Sequence, residues 1–345
     1  MKVAILEEIE HLVVREAPDL QLEEGAVVIK VKVCSICGTD LRIYRHGDAR
    51  VKLPHVLGHE IAGEVKAVDE QVTDYKAGDR VAVTPRISCG ECFYCRRGQP
   101  IFCQNGRTFG YQLPGGYAEY LLVSSRGVQF GVLNRIADTL SFEEAALSEP
   151  LSCCIRAQRA LQVRGGDTVV VIGGGPVGIM HCRLAKANGA SKVILVEKET
   201  ERLKQVDLSS IDEVVDSAKS DPEAEILTFT QGRRADVVIV TCSSVQALEQ
   251  SLSLAGRGGR INIFAGLAPG QSSISIDSNV IHYRDISVQG SHGSTPQDHR
   301  EALDMLATRA LEVSDLMSHK FPLDSIEEAF PFAENRQGMH IAVIP

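Results

Sequence analysis

The sequence predicts a two-domain α/β protein in which a doubly wound parallel sheet is joined to a β-rich domain. Three observations predict it. Residues 168–290 alternate short, continuous apolar strands with helical patterns. The first 145 or so residues carry β-branched runs with partial alternation, frequent Gly and Pro, and few helical patterns. The length, 345 residues, is too great for one small core. The expected division is 1–150 for the β-rich domain, completed by 291–345, and 151–290 for the parallel-sheet domain.

In the first part, Val27–Val33, Gly63–Val68 and Gly78–Val83 read as strands. In the second, Thr168–Ile172, Val193–Val196, Val237–Val240, Ile261–Phe264 and Ile286–Gln289 read as buried strands. Val177–Asn188 and Val245–Leu254 read as helices between them. One more helix, Gln297–Ala310, precedes a short β-like tail that is expected to return to the first domain.

Composition excludes several classes. A net charge of -9 leaves no basic face of the size a nucleic acid needs. No apolar stretch approaches the length of a bilayer span. The start, Met1 to Glu8, is cut short by acids and does not form a signal peptide. A cytoplasmic protein is expected. Ten cysteines in such a chain are not a disulfide framework, and four of them cluster within fifteen residues, which points to metal.

The strand Val169–Ile172 runs directly into Gly173-Gly174-Gly175-Pro176-Val177-Gly178, a G-x-G-x-x-G turn that opens a helix. Gly173, Gly175 and Gly178 permit a tight turn and close approach to a pyrophosphate, and Pro176 and Val177 begin a helix whose free N–H groups favour phosphate. Alone the motif is weak, since a glycine-rich turn can be empty. Glu197 strengthens it: nineteen residues beyond Gly178, it ends the next strand, where an acid holds ribose hydroxyls. An acid there repels a 2′-phosphate, so NAD is favoured over NADP. Lys198 and Arg202 lie close enough in sequence to soften that preference.

Cys89, Cys92, Cys95 and Cys103 give C-x2-C-x2-C-x7-C. Four thiolates in one lobe suit a closed tetrahedral zinc with no open position, hence a structural site. An iron–sulfur cluster is the rival reading, opposed by the seven-residue gap and the missing Cys-Pro ending. Cys37, His59 and Glu149 could make a second, scattered set. Each alone reads more readily as a core or satisfied polar residue. His59-Glu60 lacks the second histidine of a zinc-protease helix.

Taken in order, Cys37-Gly38-Thr39-Asp40, Gly58-His59-Glu60-Ile61-Ala62-Gly63, the four-cysteine lobe, Glu149-Pro150-Leu151 and the glycine loop resemble the zinc-containing medium-chain alcohol dehydrogenases over essentially the whole chain. Gly259 to Leu267 and Gly290-Ser291-His292-Gly293 are similar to the polyol branch, that of sorbitol, galactitol-phosphate, threonine and cyclitol dehydrogenases. The resemblance implies a GroES-like β-rich catalytic domain and a Rossmann domain, two zinc ions per chain, and a homodimer or homotetramer. It implies a catalytic zinc on Cys37, His59 and an acid, either Glu60 or Glu149, with Asp40 orienting His59 and Thr39 contacting the reacting oxygen. It also implies hydride transfer between NAD and a secondary hydroxyl of a polyol, cyclitol or sugar acid, with threonine or a sugar phosphate as alternatives. A non-catalytic nucleotide- and metal-binding protein is the reading of another class.

Two departures stand out. Relatives carry a proton-passing His where this chain has Arg42, which could instead pair with a substrate carboxylate or phosphate, or with the cofactor pyrophosphate. They carry Gly or Ala where this chain has Asp69, which tolerates left-handed backbone.

Overall fold

The structure is a computed structural model that describes residues 1–267 and 270–345. The chain forms two compact units. One comprises Met1–Ser152, Gly293–Arg309 and Met317–Pro345; the other comprises Cys153–His292 and Ala310–Leu316.

The first unit is built on a seven-stranded sheet. Its order is Met317–Pro322, His340–Ile344, Val27–Ser35, Glu60–Val68, Arg80–Val83 and Leu133–Arg135, with Tyr120–Val123 also paired to Val27–Ser35. All pairs are antiparallel except the first, formed by the two tail strands. Ile29, Leu57, Ile61, Phe109 and Tyr117 fill its core. The tail is more than β-like, because the helix Ile326–Glu334 lies between its strands. Pro331 inside that helix hides it from a sequence reading, since Pro usually ends helices. Packing overrides the penalty: Phe330 is buried edge-on against Tyr44 and Tyr117.

The returning helix Pro296–Ala307 is anchored in this unit by buried His299. Its Nδ1 lies 2.9 Å from Thr84 Oγ1, and its Nε2 lies 2.8 Å from Ser148 Oγ. Asp69 differs from expectation. It is absent from the positive-φ residues, and its Oδ1 accepts from the N–H groups of Gly25 and Gln71 at 2.8 and 3.1 Å. The carboxylate braces the turn, so no left-handed backbone is needed.

The second unit holds a six-stranded, fully parallel sheet in the order Glu213–Asp216, Lys192–Glu197, Thr168–Ile172, Ala235–Val240, Ala255–Ile263, Ser287–Gly290. Val169, Val170 and Val171 are fully buried, as a central strand covered on both faces requires. The strand order reverses between Thr168–Ile172 and Ala235–Val240, and the glycine loop leaves the first of these strands at that switch point. Ala310–Leu316, expected with the first domain, belongs here. Arg183 binds the carbonyl of Glu312 at 2.7 Å and the carboxylate of Asp315 at 2.7 and 2.6 Å. Among the described residues no helix is long and apolar enough to cross a membrane.

On the helix after the glycine loop, His181 is fully buried beside Gln158 and Phe264, and burial pushes its pKa down from 6.5 to about 3. The folded state therefore stays neutral while the unfolded chain takes up a proton below pH 6.5. Stability contributed by this mismatch is intact above pH 6.5 and is lost as pH falls toward 3. Acidification from pH 7 to 5 should cost about 2 kcal/mol through this group. Urea unfolding should show His181→Gln losing less stability over that range than the parent. Equal losses would mean that His181 charges inside the fold.

Candidate metal and nucleotide sites

Cys37 ends the approach to the helix Gly38–His46 and caps it, so its sulfur sits at a helix N-terminus. His59 precedes, and Glu60 begins, the strand Glu60–Val68, which pairs with the strand leading to Cys37. One ligand atom from each of Cys37, His59 and Glu60 lies within 4.8 Å of the others.

Asp40 organises this cluster from behind. Its Oδ2 accepts from the Cys37 N–H and the Tyr117 hydroxyl, each at 3.0 Å. Its Oδ1 accepts from the Gly58 N–H at 3.3 Å and lies 3.4 Å from His59 Nδ1. With Nδ1 facing Asp40, the other ring nitrogen is the one free to bind a cation. Burial disfavours charge on His59, yet the neighbouring Asp40 and Cys37 raise its pKa well above the usual value. Burial, followed by the charge of Glu60, pushes the Cys37 thiol up to about 11.

Glu60 has a partner that the sequence did not suggest. His340, on the last strand, lies with Nε2 2.6 Å from Glu60 Oε2, and both side chains are buried. Burial alone would raise the Glu60 pKa; His340 and then His59 hold it below the ordinary value. Glu60 Oε1 is buried with no hydrogen-bond partner among the described residues. An orphaned carboxylate oxygen beside a thiol and an imidazole is what a divalent cation would satisfy. Glu149 lies in the first turn of the helix Ser148–Ala160, is 6% exposed, and falls outside this ligand cluster. Of the two acids left open by the sequence, only Glu60 joins Cys37 and His59 here. No signal local to residue 340 could have revealed its histidine, since 280 residues separate it from Glu60.

Thr39 is half-buried in the first turn of the Gly38–His46 helix. Arg42 is one turn further on, and its Nη2 lies 3.0 Å from Asp48 Oδ2. Arg50 grips the same carboxylate with Nε and Nη2, both at 2.8 Å.

In the cysteine lobe, Cys92 Sγ lies 3.5 Å from Cys95 Sγ and 3.8 Å from Cys103 Sγ, and Cys89 Sγ lies 3.9 Å from Cys95 Sγ. Sulfurs each 2.3 Å from a tetrahedral centre stand about 3.8 Å apart, so the lobe fits zinc. The distances are far too long for disulfides. Backbone N–H groups lower the Cys92 thiol to about 6, whereas burial raises Cys95 to about 12.

The glycine loop shows what each residue is for. Gly173 has φ 107°, and a Cβ on Gly178 would sit 1.8 Å from the Gly173 carbonyl oxygen. Turn and packing therefore require both glycines. Gly175 caps the helix Pro176–Ala187, and the nearest atom to a Cβ there is Arg202 Nη1 at 3.8 Å. The protein leaves open the space before that helix N-terminus, as phosphate binding demands. Val177 lies in the first turn, beside Pro176. Glu197 accepts from the Gly174, Lys198 and Glu199 N–H groups and so closes the end of its strand onto the loop.

Comparison with known proteins agrees with this geometry. A family model described as alcohol dehydrogenase GroES-like domain matches residues 23–129, and one described as zinc-binding dehydrogenase matches residues 176–308. The chain is 32% identical to an L-threonine 3-dehydrogenase of Bacillus subtilis, covering 96% of this chain and 95% of that one. It is also 32% identical to a sorbitol dehydrogenase of the same organism, covering 95% and 92%. A solved zinc-binding dehydrogenase from Sinorhizobium meliloti, bound to NADP, superposes with a TM-score of 0.91 at 31% identity, covering 100% of this chain and 99% of that one.

Elemental analysis should find two zinc ions per chain. Cys37→Ser should lose one while the protein stays folded, and Cys92→Ser should mainly lower thermal stability. His340→Ala should weaken retention of the first zinc by about 10–100-fold, as loss of a bond behind a ligand does. A fully active chain with at most one metal would contradict the two-site assignment.

Proposed function

The chain belongs to the zinc-binding alcohol dehydrogenase family, and on that premise we propose that it oxidises a secondary hydroxyl of a polyhydroxylated substrate with NAD as hydride acceptor. The observation that carries the reading is the Cys37, His59 and Glu60 cluster with its orphaned Glu60 oxygen. When bound, zinc supplies Lewis-acid stabilisation of charge on the reacting oxygen, and the nicotinamide accepts the hydride. Cys37, His59 and Glu60 would hold the zinc, with Glu149 in reserve should a ligand exchange during turnover. Asp40, 3.4 Å from His59 Nδ1, would orient that ring toward the zinc, and His340 would hold Glu60. Thr39 would relay the substrate hydroxyl proton, accepting it as its own hydroxyl proton passes to a zinc-linked acid or water. Arg42 stands where relatives pass that proton outward, and its guanidinium is committed to Asp48.

Gly173, Gly175, Pro176, Val177 and Gly178 would cradle the pyrophosphate. Glu197 would turn from the loop amides to the ribose hydroxyls, and Arg202 flanks the same space. The secondary-hydroxyl assignment draws on the relatives named for threonine and sorbitol, and its polyol part on the sorbitol relative alone. It also draws on a composition with no Trp and 5% aromatic residues, which disfavours a large aromatic pocket.

The protein acts as a homodimer or homotetramer in the cytoplasm. The edge strand Ser287–Gly290, with Val288 42% exposed and nearby Tyr283 71% exposed, offers an open sheet edge to a second copy. Its ten free cysteines fit a reducing compartment.

Steady-state kinetics test the substrate class. Polyols, cyclitols or sugar acids should be oxidised with higher kcat/KM than ethanol or butanol; the reverse order would sink the assignment, and a preference for threonine would favour the alternative within the family. Catalytic efficiency with NAD should exceed that with NADP, and Glu197→Ala should narrow the gap by removing the charge that repels a 2′-phosphate. A parent enzyme more efficient with NADP would refute the Glu197 reading.

A further inference from the structure

The region beside the metal cluster carries a cationic element that the reaction itself does not use. The Tyr111 ring lies 5.7 Å from the His59 ring, and the Arg50 guanidinium sits over Tyr111 at 4.5 Å from its centroid. Two short steps therefore connect a candidate zinc ligand to a guanidinium. Arg50 is also locked at its other edge, with Nε and Nη2 on Asp48 at 2.8 Å and its own backbone N–H on Asp48 Oδ1 at 2.9 Å.

Arg42 shares that carboxylate. Its Nη2 is 3.0 Å from Asp48 Oδ2, and among the described residues its side chain bonds nothing else. The Asp48 side chain is 8% exposed beneath the pair, while those of Arg42 and Arg50 are 30% and 53% exposed. Two cations on one anion leave an excess positive charge facing outward. It stands next to the metal cluster of a chain whose net charge is -9. Held guanidiniums lose little freedom on binding, and their planar forks match carboxylate and phosphate oxygens.

We propose that Arg50, seated on Tyr111 and braced with Arg42 by Asp48, binds an anionic group of the substrate, so that the preferred substrate is a polyhydroxylated carboxylate or phosphate rather than a neutral polyol. This rests on the dehydrogenase reading above and narrows it. The hydroxyl to be oxidised lies toward Cys37, His59 and Glu60, and the anion lies toward Arg50, with the Tyr111 ring walling the path between them. Asp48 sets the strength of the site: it cancels one of the two charges and keeps both side chains in place.

The test compares three matched compounds, sorbitol, gluconate and sorbitol 6-phosphate, on zinc-loaded enzyme by steady-state kinetics with NAD and by calorimetric binding. For the parent, at least one anion should exceed sorbitol in kcat/KM by tenfold or more, and its affinity should fall with added salt. Which anion wins distinguishes carboxylate from phosphate recognition. Arg50→Ala should lower the anion-to-sorbitol ratio ten- to a hundredfold. Arg50→Lys should recover part of it, because the charge returns without the fork. Arg42→Ala should lower the ratio in the same direction. An unchanged ratio in Arg50→Ala, a parent that prefers sorbitol, or a rise in the KM for NAD with unchanged selectivity would each overturn the inference. Arginine-dependent anion binding without any oxidation would support the anion site and remove the dehydrogenase reading, and with it the substrate preference. Oxidation of sorbitol with no binding of either anion would do the opposite.

Discussion

The catalytic half of this protein is assembled around one buried carboxylate. Asp40 is fully buried, and a charged group there is tolerated only if hydrogen bonds replace its water. Those bonds come from separate stretches of chain: the Cys37 N–H, the Gly58 N–H and the Tyr117 hydroxyl. Satisfying Asp40 therefore draws the Cys37 helix cap, the loop before His59 and the Tyr117 segment to one point. The same residue faces His59 Nδ1 and so determines which imidazole nitrogen is left for metal. Loss of Asp40 would disorganise the backbone as well as the ligand.

Much of this was legible in the sequence, and the reason is locality. Cys37 and Asp40 lie three residues apart, and His59-Glu60 is a dipeptide. The cysteine lobe and glycine loop are each continuous. Strands buried on both faces read as unbroken apolar runs, which is why Thr168–Ile172 matches its sequence-predicted bounds; the helix Val245–Leu254 matches too. What was not legible depends on tertiary contact. His340 reaches Glu60 only because the last strand pairs with Val27–Ser35, which in turn pairs with Glu60–Val68. Arg42 reads as an isolated charge until Asp48 and Arg50 are placed beside it. Asp69 was misread because side-chain capping and left-handed backbone are two answers to the same turn, and sequence does not distinguish them.

The three glycines of the G-x-G-x-x-G loop divide into two kinds. Gly173 and Gly178 are demanded by the protein's own packing, so they would be needed with or without a ligand. Gly175 is not: outside its own chain neighbours, the nearest atom to a Cβ placed there is Arg202 Nη1 at 3.8 Å. The fold therefore accounts for two of the three motif glycines, and the third points outward to whatever approaches the helix N-terminus. Sequence pattern weights the three equally, whereas geometry separates the structural pair from the one that speaks for phosphate.

The electrostatics of the metal cluster complete the argument. Cys37, Glu60 and Asp40 crowd three acidic groups together, and His59 and His340 lie against them. The fold answers by displacing protonation: the Cys37 thiol is pushed up to about 11, and His59 is driven toward its charged form. Both shifts oppose metal ligation, which requires a thiolate and a neutral imidazole nitrogen. The Cys37 shift comes first from burial and then from the charge of Glu60, whereas the His59 shift comes from Asp40 and Cys37 acting against burial. A divalent cation held by Cys37, His59 and Glu60 would favour the thiolate and the neutral imidazole over their protonated forms. The unpartnered oxygen of Glu60, beside the Cys37 sulfur and the His59 ring, is the geometric feature that a divalent cation would satisfy.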